Sequence, residues 1–170
     1  MSAARWKPST TVAAIIEREG RFLLVEEHTP EGLRLNNPAG HLDPGESLVQ
    51  ACARETLEET AHHFTPRALI GVYLARVQLP DGPLRPGGDD MSYLRFAFCG
   101  ELGALEPARS LDKGIVRTLW LSVPELQASR AMHRSALVLE CVQDYLRGQR
   151  FPLDLLHTGD GVRALSGGPA

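Results

Sequence analysis

Short apolar runs separated by turn signals predict β-strands in the first forty residues. Residues 11–17 (TVAAIIE) and 21–27 (RFLLVEE) are rich in β-branched or aromatic side chains and flank the turn residues 18–20. This pattern predicts a hairpin. Because both runs are too apolar to be half-exposed, we expect central strands that are covered on both faces. Residues 33–37 then predict a short extended piece that leads into Pro38.

The rest of the chain alternates between helical and strand patterns. Residues 48–60 hold no Gly or Pro, and Ser47 is followed three residues later by Gln50, so a helix with a capping box is predicted. Apolar residues 68–75, the alternating residues 92–102 and residues 115–123 predict strands. A short helix starting at Pro124 and a longer one over residues 135–147 follow. This order predicts a layered α/β fold, and the Gly-rich residues 157–170 predict a disordered tail.

Composition restricts the class of protein. A chain of 170 residues with 43% hydrophobic content is enough for one core, so we expect one domain. The net charge of -3, with scattered Lys and Arg, supplies no basic stripe for long nucleic acids. Three widely spaced cysteines in apolar surroundings predict reduced core thiols and a cytoplasmic protein. The N-terminal residues lack an apolar signal region and no run is long enough to span a membrane, so no membrane partner is expected.

Three glutamates continue the apolar stripe of the helix predicted over residues 48–60. At about 100° per residue, one sector of roughly 120° contains Leu48, Ala51, Cys52, Glu55, Glu58 and Glu59. Burying unpaired carboxylates is costly and like charges at these spacings repel, so a cation is predicted at this point. Hard oxygen ligands suit Mg²⁺ or Mn²⁺, which also bind phosphate oxygens. A solvated acidic helix end, paired with cations from elsewhere, is the alternative.

A tight loop is predicted immediately before that helix. Residues 38–45 contain two prolines and two glycines, and Glu46 follows at the mouth of the loop. The bare backbone of such a loop can offer carbonyl oxygens to a metal and N–H groups to a diphosphate. Arg54, four residues before Glu58, is placed to hold a carboxylate in position.

Residues 40–62 resemble the Nudix box, G-x5-E-x7-R-E-U-x-E-E-x-G-U. Gly40 matches the first glycine of that pattern. All of its charged positions are matched as well, by Glu46, Arg54, Glu55, Glu58 and Glu59. Thr56 and His62 replace aliphatic residues, and Ala61 replaces a glycine. Since glycine serves there as a left-handed helix cap, Ala61 is expected to adopt that conformation at a cost.

Further segments are similar to the bacterial NudJ-type branch of the Nudix family. They are PAGHL at 38–42, LRF at 94–96, Arg134-Ser135 and GQRFPL at 148–153. The similarity covers most of residues 8–156, which we take as the domain. It implies an α/β/α sandwich with a mixed sheet, acting as a monomer or homodimer. It also implies Mg²⁺-dependent release of orthophosphate from nucleoside di- and triphosphates and from the diphosphates of thiamine or its pyrimidine precursor.

The resemblance also implies roles for individual residues. Glu55 and Glu59 are expected to bind the metal with Glu58 beside them, and a backbone carbonyl at Ala39 or Gly40 completes the protein ligands. Glu46 and Arg54 are expected to fix the loop against the helix. Arg95 is expected either to grip a substrate phosphate or to pair with a structural carboxylate. Arg134 and Arg150 are expected either to face the site or to act as solvated helix caps.

Several alternatives remain open at this stage. Nudix enzymes often draw a general base or an extra ligand from outside the box, for which Asp112, Glu106 and Glu101 are the options. Glu26 and Glu27 are interpreted as an exposed strand end. Residues 80–90 predict either a mobile substrate lip or a plain hairpin excursion. Two other functions compete: a house-cleaning pyrophosphatase that releases a nucleoside monophosphate and diphosphate, and a non-catalytic diphosphate-binding sensor.

Overall fold

The computed structural model describes residues 6–79 and 89–163. Five strands precede the first helix, three strands follow it, and the remaining elements are helical. In chain order the elements are β1 (Ser9–Ala14), β2 (Glu17–Arg18), β3 (Arg21–Thr29), β4 (Gly32–Asn36), β5 (Ala39–His41), α1 (Leu48–Thr60), β6 (His62–Leu79), β7 (Asp89–Leu105), β8 (Ile115–Ser122), α2 (Val123–Ala128), a 3₁₀ turn (Arg130–Met132), α3 (Leu137–Leu146), a second 3₁₀ turn (Leu153–Leu155) and α4 (Asp160–Arg163).

Two sheets form the centre of the fold. The first is mixed, with the order β5-β1-β7-β6, and β1 runs parallel to β7 while the other pairs are antiparallel. In the second sheet β3 pairs antiparallel with β2, β4 and β8. The predicted hairpin of residues 11–17 with 21–27 is therefore wrong. Both edges of β1 are already occupied by β5 and β7, so only the two residues of β2 pair back onto β3.

Buried apolar clusters attach helices to the two faces of the sheets. Ala51 and Cys52 of α1 pack with a cluster that includes Val12 and Phe98. On the other side, the buried face of α3 packs against Phe22, Leu24 and Ile70. Full burial of each large side chain contributes roughly 1.5–3 kcal/mol. The predicted α/β/α sandwich with a mixed sheet is confirmed, and all three cysteines are free and buried, as predicted.

Helix α1 has the bounds and the caps that the sequence predicts. The Ser47 hydroxyl accepts a hydrogen bond from the Gln50 N–H at 3.2 Å, and the Gln50 side chain accepts one from the Ser47 N–H at 2.9 Å. At the other end Ala61 adopts a left-handed conformation with φ 57° and ψ 12°, and its N–H donates to the Leu57 carbonyl. The expected left-handed cap is thus present with alanine in place of glycine.

Replacing Ala61 with glycine should raise the free energy of unfolding by roughly 0.5 kcal/mol, because glycine adopts φ > 0 without strain. The gain is limited because the Ala61 methyl group is buried. Ala53→Gly in the middle of α1 is the matched control and should lower the free energy of unfolding by about 1 kcal/mol. Chemical denaturation measures both values. A lower unfolding midpoint for Ala61→Gly would contradict the argument.

Two segments for which the sequence makes a prediction lie partly outside the described residues. Most of the predicted lip, residues 80–88, lies outside them, and Asp89 and Asp90 already belong to β7. The tail predicted to be disordered contains the helical turn α4, which differs from the expectation, and its residues 164–170 lie outside the description. None of the helices in the described ranges is long and apolar enough to cross a membrane.

Candidate active site

A cavity of about 520 Å³ opens beside α1. Residues from β1, β3, β4, β5, α1, the β6/β7 pair and the start of α3 form its wall. Its polar lining includes Thr11, Glu27, Asn36, Glu55, Glu59, Tyr93, Arg95, Asp112, Arg134 and Ser135, together with the backbone at Ala39 and Gly40. The cavity therefore collects most of the residues that the sequence singled out for chemistry.

Arg54 ties the loop to the helix, as predicted. Its Nε and Nη2 donate to the Glu46 carboxylate at 3.0 and 2.7 Å, and Nη2 also donates to the His41 carbonyl at 3.0 Å. Its Nη1 donates to Glu55 and to Glu58, both at 2.9 Å. Burial acts to raise the pKa of Glu46, but the Arg54 guanidinium and the Asp43 N–H hold that pKa below its usual value. One guanidinium thus fixes three carboxylates.

Glu59 is a buried carboxylate that forms no ion pair with the described side chains, although it lies within electrostatic reach of Arg95. It is 8% exposed, and its Oε2 accepts a hydrogen bond from the Ala39 N–H at 2.8 Å. Burial raises the pKa of Glu59 to about 8 against the effect of that hydrogen bond, and the neighbouring charges of Glu55, Glu27 and Asp112 add to the rise. Burial also raises the pKa of Glu55, although Arg54 opposes the shift. Such crowded, buried acids are typical of a cation site.

Gly40 forms the floor beneath Glu55. A Cβ placed on Gly40 would lie 2.0 Å from the carboxyl carbon of Glu55, far inside any permitted contact. The bare backbone at this position therefore allows the Glu55 carboxylate to lie directly against β5. This close approach is a physical reason for glycine at the first position of the box.

The residues fit a divalent cation in chemistry, although they are not yet arranged around one. Within the described ranges, no three Asp, Glu, His or Cys side chains form a ready set of metal ligands. Glu58 is held by Arg54 and lies off the cavity wall. The remaining donors, Glu55, Glu59 and the backbone at residues 39–40, are hard oxygen ligands that suit Mg²⁺ or Mn²⁺.

Arg95 and Arg134 reach the wall of the cavity, which is one of the two alternatives that the sequence left open for each. Arg95 is only 8% exposed, and its Nε and Nη1 have no hydrogen-bond partner among the described residues. Burial lowers the pKa of Arg95, while the Cys141 thiol and the charges of Glu27 and Glu59 oppose that shift. Arg134 is 39% exposed and lies 4.0 Å from Glu27. Within residues 6–79 and 89–163, no carboxylate forms a close ion pair with Arg95, which was the other alternative.

Only one of the three acids considered as a general base or extra ligand outside the Nudix box lines the cavity. Asp112 lines the cavity, and its N–H donates to the Glu58 carbonyl at 3.0 Å. The other two acids are engaged elsewhere, because Glu101 pairs with Arg67 and Glu106 pairs with His63 and Arg109. Arg150 also faces away from the cavity and lies over the Tyr145 ring.

Glu27 is the functional candidate that the sequence interpretation missed. The prediction of an exposed strand end is wrong for both glutamates, since the side chain of Glu26 is 13% exposed and that of Glu27, which lines the cavity, is 20% exposed. Glu26 instead pairs with Arg117. Neighbouring residues of a strand face opposite sides of the sheet, so the adjacent glutamates could not both face solvent if one face was covered. This alternation is the feature of the sequence that could have separated Glu27 from Glu26.

The chain matches known proteins over most of its length. The NUDIX domain profile matches residues 6–140. "Phosphatase NudJ" of Escherichia coli K12 is 39% identical over 152 residues, which cover 89% of this chain and 92% of that protein. The Shigella flexneri protein of the same name matches to the same extent.

Solved structures agree with this assignment. A NUDIX hydrolase from Nitrosomonas europaea is 49% identical, with a TM-score of 0.80, and the match covers 91% of this chain and 99% of that one. A MutT protein from Methanosarcina mazei Go1 has a TM-score of 0.57 at 21% identity over 86% of this chain and 100% of that one, which shows the shared fold alone. The chain therefore belongs to the Nudix hydrolase family and is a phosphohydrolase.

Proposed function

We propose that this protein releases orthophosphate from nucleoside di- and triphosphates and from small organic diphosphates, using Mg²⁺ or alternatively Mn²⁺. Nudix hydrolases generally use divalent metal ions and act on small nucleotide substrates. The observation that carries the proposal is the cavity itself. Its wall combines the buried acids Glu55 and Glu59 with the buried, unpaired guanidinium of Arg95.

Glu55, Glu59 and the backbone at Ala39 or Gly40 would hold the ion. When bound, a divalent ion neutralises phosphate charge and activates water for in-line attack on phosphorus. Arg54 keeps Glu55 in place through its 2.9 Å hydrogen bond and, with Glu46, fixes the loop that carries Gly40. Glu58 balances the charge of Arg54 from the opposite side. Asp112, on the same wall, is the group we assign to accept a proton from the attacking water.

Arg95 and Arg134 supply the cationic contacts for the substrate phosphates. A buried guanidinium with unsatisfied N–H groups is costly, and a phosphate oxygen would satisfy them with charge-assisted hydrogen bonds. Arg134 lies nearer to solvent, where it can contact the entering substrate. Neither arginine reads the organic part of the substrate, which favours a broad range that includes thiamine diphosphate or its pyrimidine precursor.

The relatives and the thiols support the remaining parts of the proposal. The Escherichia coli relative carries the name phosphatase, which favours release of orthophosphate over release of pyrophosphate. Three free, buried thiols suit a reducing compartment, so we place the protein in the cytoplasm, as a monomer or homodimer.

A phosphate-release screen tests this function. The protein is incubated with Mg²⁺ and, in separate reactions, a nucleoside diphosphate, a nucleoside triphosphate and thiamine diphosphate, and orthophosphate is measured with and without added pyrophosphatase. A parallel series with a chelator in place of Mg²⁺ is the control. We expect orthophosphate without the added enzyme and none in the chelated series. Orthophosphate that appears only after pyrophosphatase addition would favour the house-cleaning activity, and binding without turnover would favour a sensor.

A further inference from the structure

Glu27 is a mostly buried carboxylate with unused hydrogen-bonding capacity. Among the described residues it accepts one hydrogen bond, from Asn36 Nδ2 at 3.2 Å. The Arg134 Nε lies 4.0 Å from Glu27 Oε1, beyond hydrogen-bond distance. An ionised carboxylate can accept about four hydrogen bonds, so most of the capacity of Glu27 is directed at the cavity it lines.

Two other residues that line the cavity, Asn36 and Thr11, also have buried oxygen atoms to which no described residue donates a hydrogen bond. Asn36 donates its Nδ2 to Glu27, which fixes the orientation of the amide and leaves its buried Oδ1 without a partner in the described part of the chain. The buried Thr11 hydroxyl, which lies beside Arg95 in the register of β1 with β7 and can accept or donate, has no partner there either. Each buried unsatisfied polar group costs about 1–3 kcal/mol. The wall near Glu27 is therefore complementary to a ligand that brings hydrogen-bond donors.

The charged side chains that line the cavity indicate which part of a substrate contacts the wall near Glu27. The charge of Glu27 acts on both Arg95 and Glu59, so Glu27 adjoins the groups that bind the phosphates and the ion. Phosphates belong with the ion site at Glu55 and Glu59 and with Arg95. Because a carboxylate at Glu27 repels a further anionic group, the part of the substrate that contacts Glu27 carries no negative charge.

We propose that Glu27, together with Asn36 and Thr11, binds the organic moiety of the substrate through its hydrogen-bond donors, either the amino or N–H groups of a heterocycle or the hydroxyls of a sugar. This inference rests on the proposed function and adds a specificity determinant to it. Arg95 and the Nudix box then bind the phosphates of every substrate. Glu27 gives higher affinity to substrates whose organic part carries hydrogen-bond donors close to the phosphates.

Glu27→Gln is the test, and Glu26→Gln is the matched control, because it makes the same change at the adjacent residue that pairs with Arg117 off the cavity. Four diphosphates separate the sources of the donors: adenosine diphosphate, its 2′,3′-dideoxy form without the sugar hydroxyls, purine riboside diphosphate without the amino group, and methyl diphosphate with neither. For adenosine diphosphate, Glu27→Gln should raise KM by about 10- to 100-fold, the range of a lost charged hydrogen bond. Methyl diphosphate should be unaffected.

The analogue that lacks the relevant donor should bind poorly to the wild type and lose little more in Glu27→Gln. Thermal unfolding should show that both variants are folded at the assay temperature, since the replacement keeps the size of the side chain. Glu26→Gln can unfold at a lower temperature because it weakens the pair with Arg117. An equal loss for all four compounds, including methyl diphosphate, would overturn the inference, because Glu27 would then act on the phosphate or metal end. No loss for any compound would overturn it as well.

A binding measurement separates failure of the inference from failure of the proposed function. If the wild type hydrolyses none of the four diphosphates, the proposed function fails, and calorimetric titrations with adenosine monophosphate and methyl phosphate decide the inference independently. Tighter binding of adenosine monophosphate by the wild type than by Glu27→Gln, with equal affinities for methyl phosphate, supports the donor wall. Equal affinities for adenosine monophosphate would overturn it.

Discussion

Replacing Glu59 with glutamine should lower kcat/KM by roughly 10²–10⁴, the scale of a lost essential electrostatic contact. Glutamine keeps the shape of the side chain, and its carbonyl oxygen can still accept the 2.8 Å hydrogen bond from the Ala39 N–H. The substitution therefore removes only the negative charge that faces the expected ion site. In the metal-free protein, burial and the charges of Glu55 and Asp112 raise the pKa of Glu59 to about 8, so near pH 7 this side chain is mostly protonated. Glutamine is neutral without the cost of taking up that proton, so the change should not destabilise the metal-free fold.

Three measurements check this expectation. Steady-state kinetics should show the loss, titration with Mn²⁺ should show weaker metal binding, and chemical denaturation without metal should give a free energy of unfolding no lower than that of the wild type. Glu101→Gln is the control, since that exposed acid pairs with Arg67 away from the cavity and should keep wild-type activity and metal affinity. Full activity in Glu59→Gln would remove Glu59 from the ion site.

Features that depend on neighbouring residues could be predicted from the sequence. The bounds of α1 follow from its capping box and from the absence of Gly and Pro, and the left-handed conformation of Ala61 follows from its place in the box. The alternation of residues 92–102 places Arg95 and Phe96 on opposite faces of β7. Arg54 was expected to support Glu58 from its helical spacing, and it does.

Features that depend on strand pairing could not be read in the same way. The partners of β1 are β5 and β7, so the parallel register of Thr11 with Arg95 joins positions more than eighty residues apart. A hairpin with residues 21–27 would satisfy the same local pattern of apolar residues. The misplacement of Glu27 has the same origin. Alternation separates the two glutamates, but the pairing of β3 with β8 that sets Glu26 opposite Arg117 joins residues 91 positions apart and cannot be read from residues 21–27.

Gly40→Ala should reduce kcat/KM by about 10²-fold or more, the scale expected when a catalytic group is displaced by about 1 Å. An added Cβ would lie 2.0 Å from the Glu55 carboxyl carbon, so the carboxylate must move away from β5. The backbone of Gly40 does not have a positive φ, so alanine introduces no backbone strain there. The clash is with the flexible end of a side chain, which indicates a local effect on Glu55 rather than loss of the fold.

The free energy of unfolding of Gly40→Ala should differ from that of the wild type by less than about 1 kcal/mol. Gly159→Ala is the control, because an added Cβ meets nothing within 4 Å at that position, and it should retain activity. Wild-type kinetics in Gly40→Ala would show that the position of the Glu55 carboxylate against β5 does not matter for the reaction.

A double-mutant cycle with Glu55→Gln tests whether the effect of Gly40→Ala passes through Glu55. Residues in direct contact give non-additive effects when one substitution acts through the other. If the displaced Glu55 carboxylate is the cause, Glu55→Gln alone should already be strongly impaired, and adding Gly40→Ala should lower kcat/KM little further. If the two losses add in full, Gly40→Ala acts on something else, such as the backbone carbonyl at residue 40 that we assign to the ion.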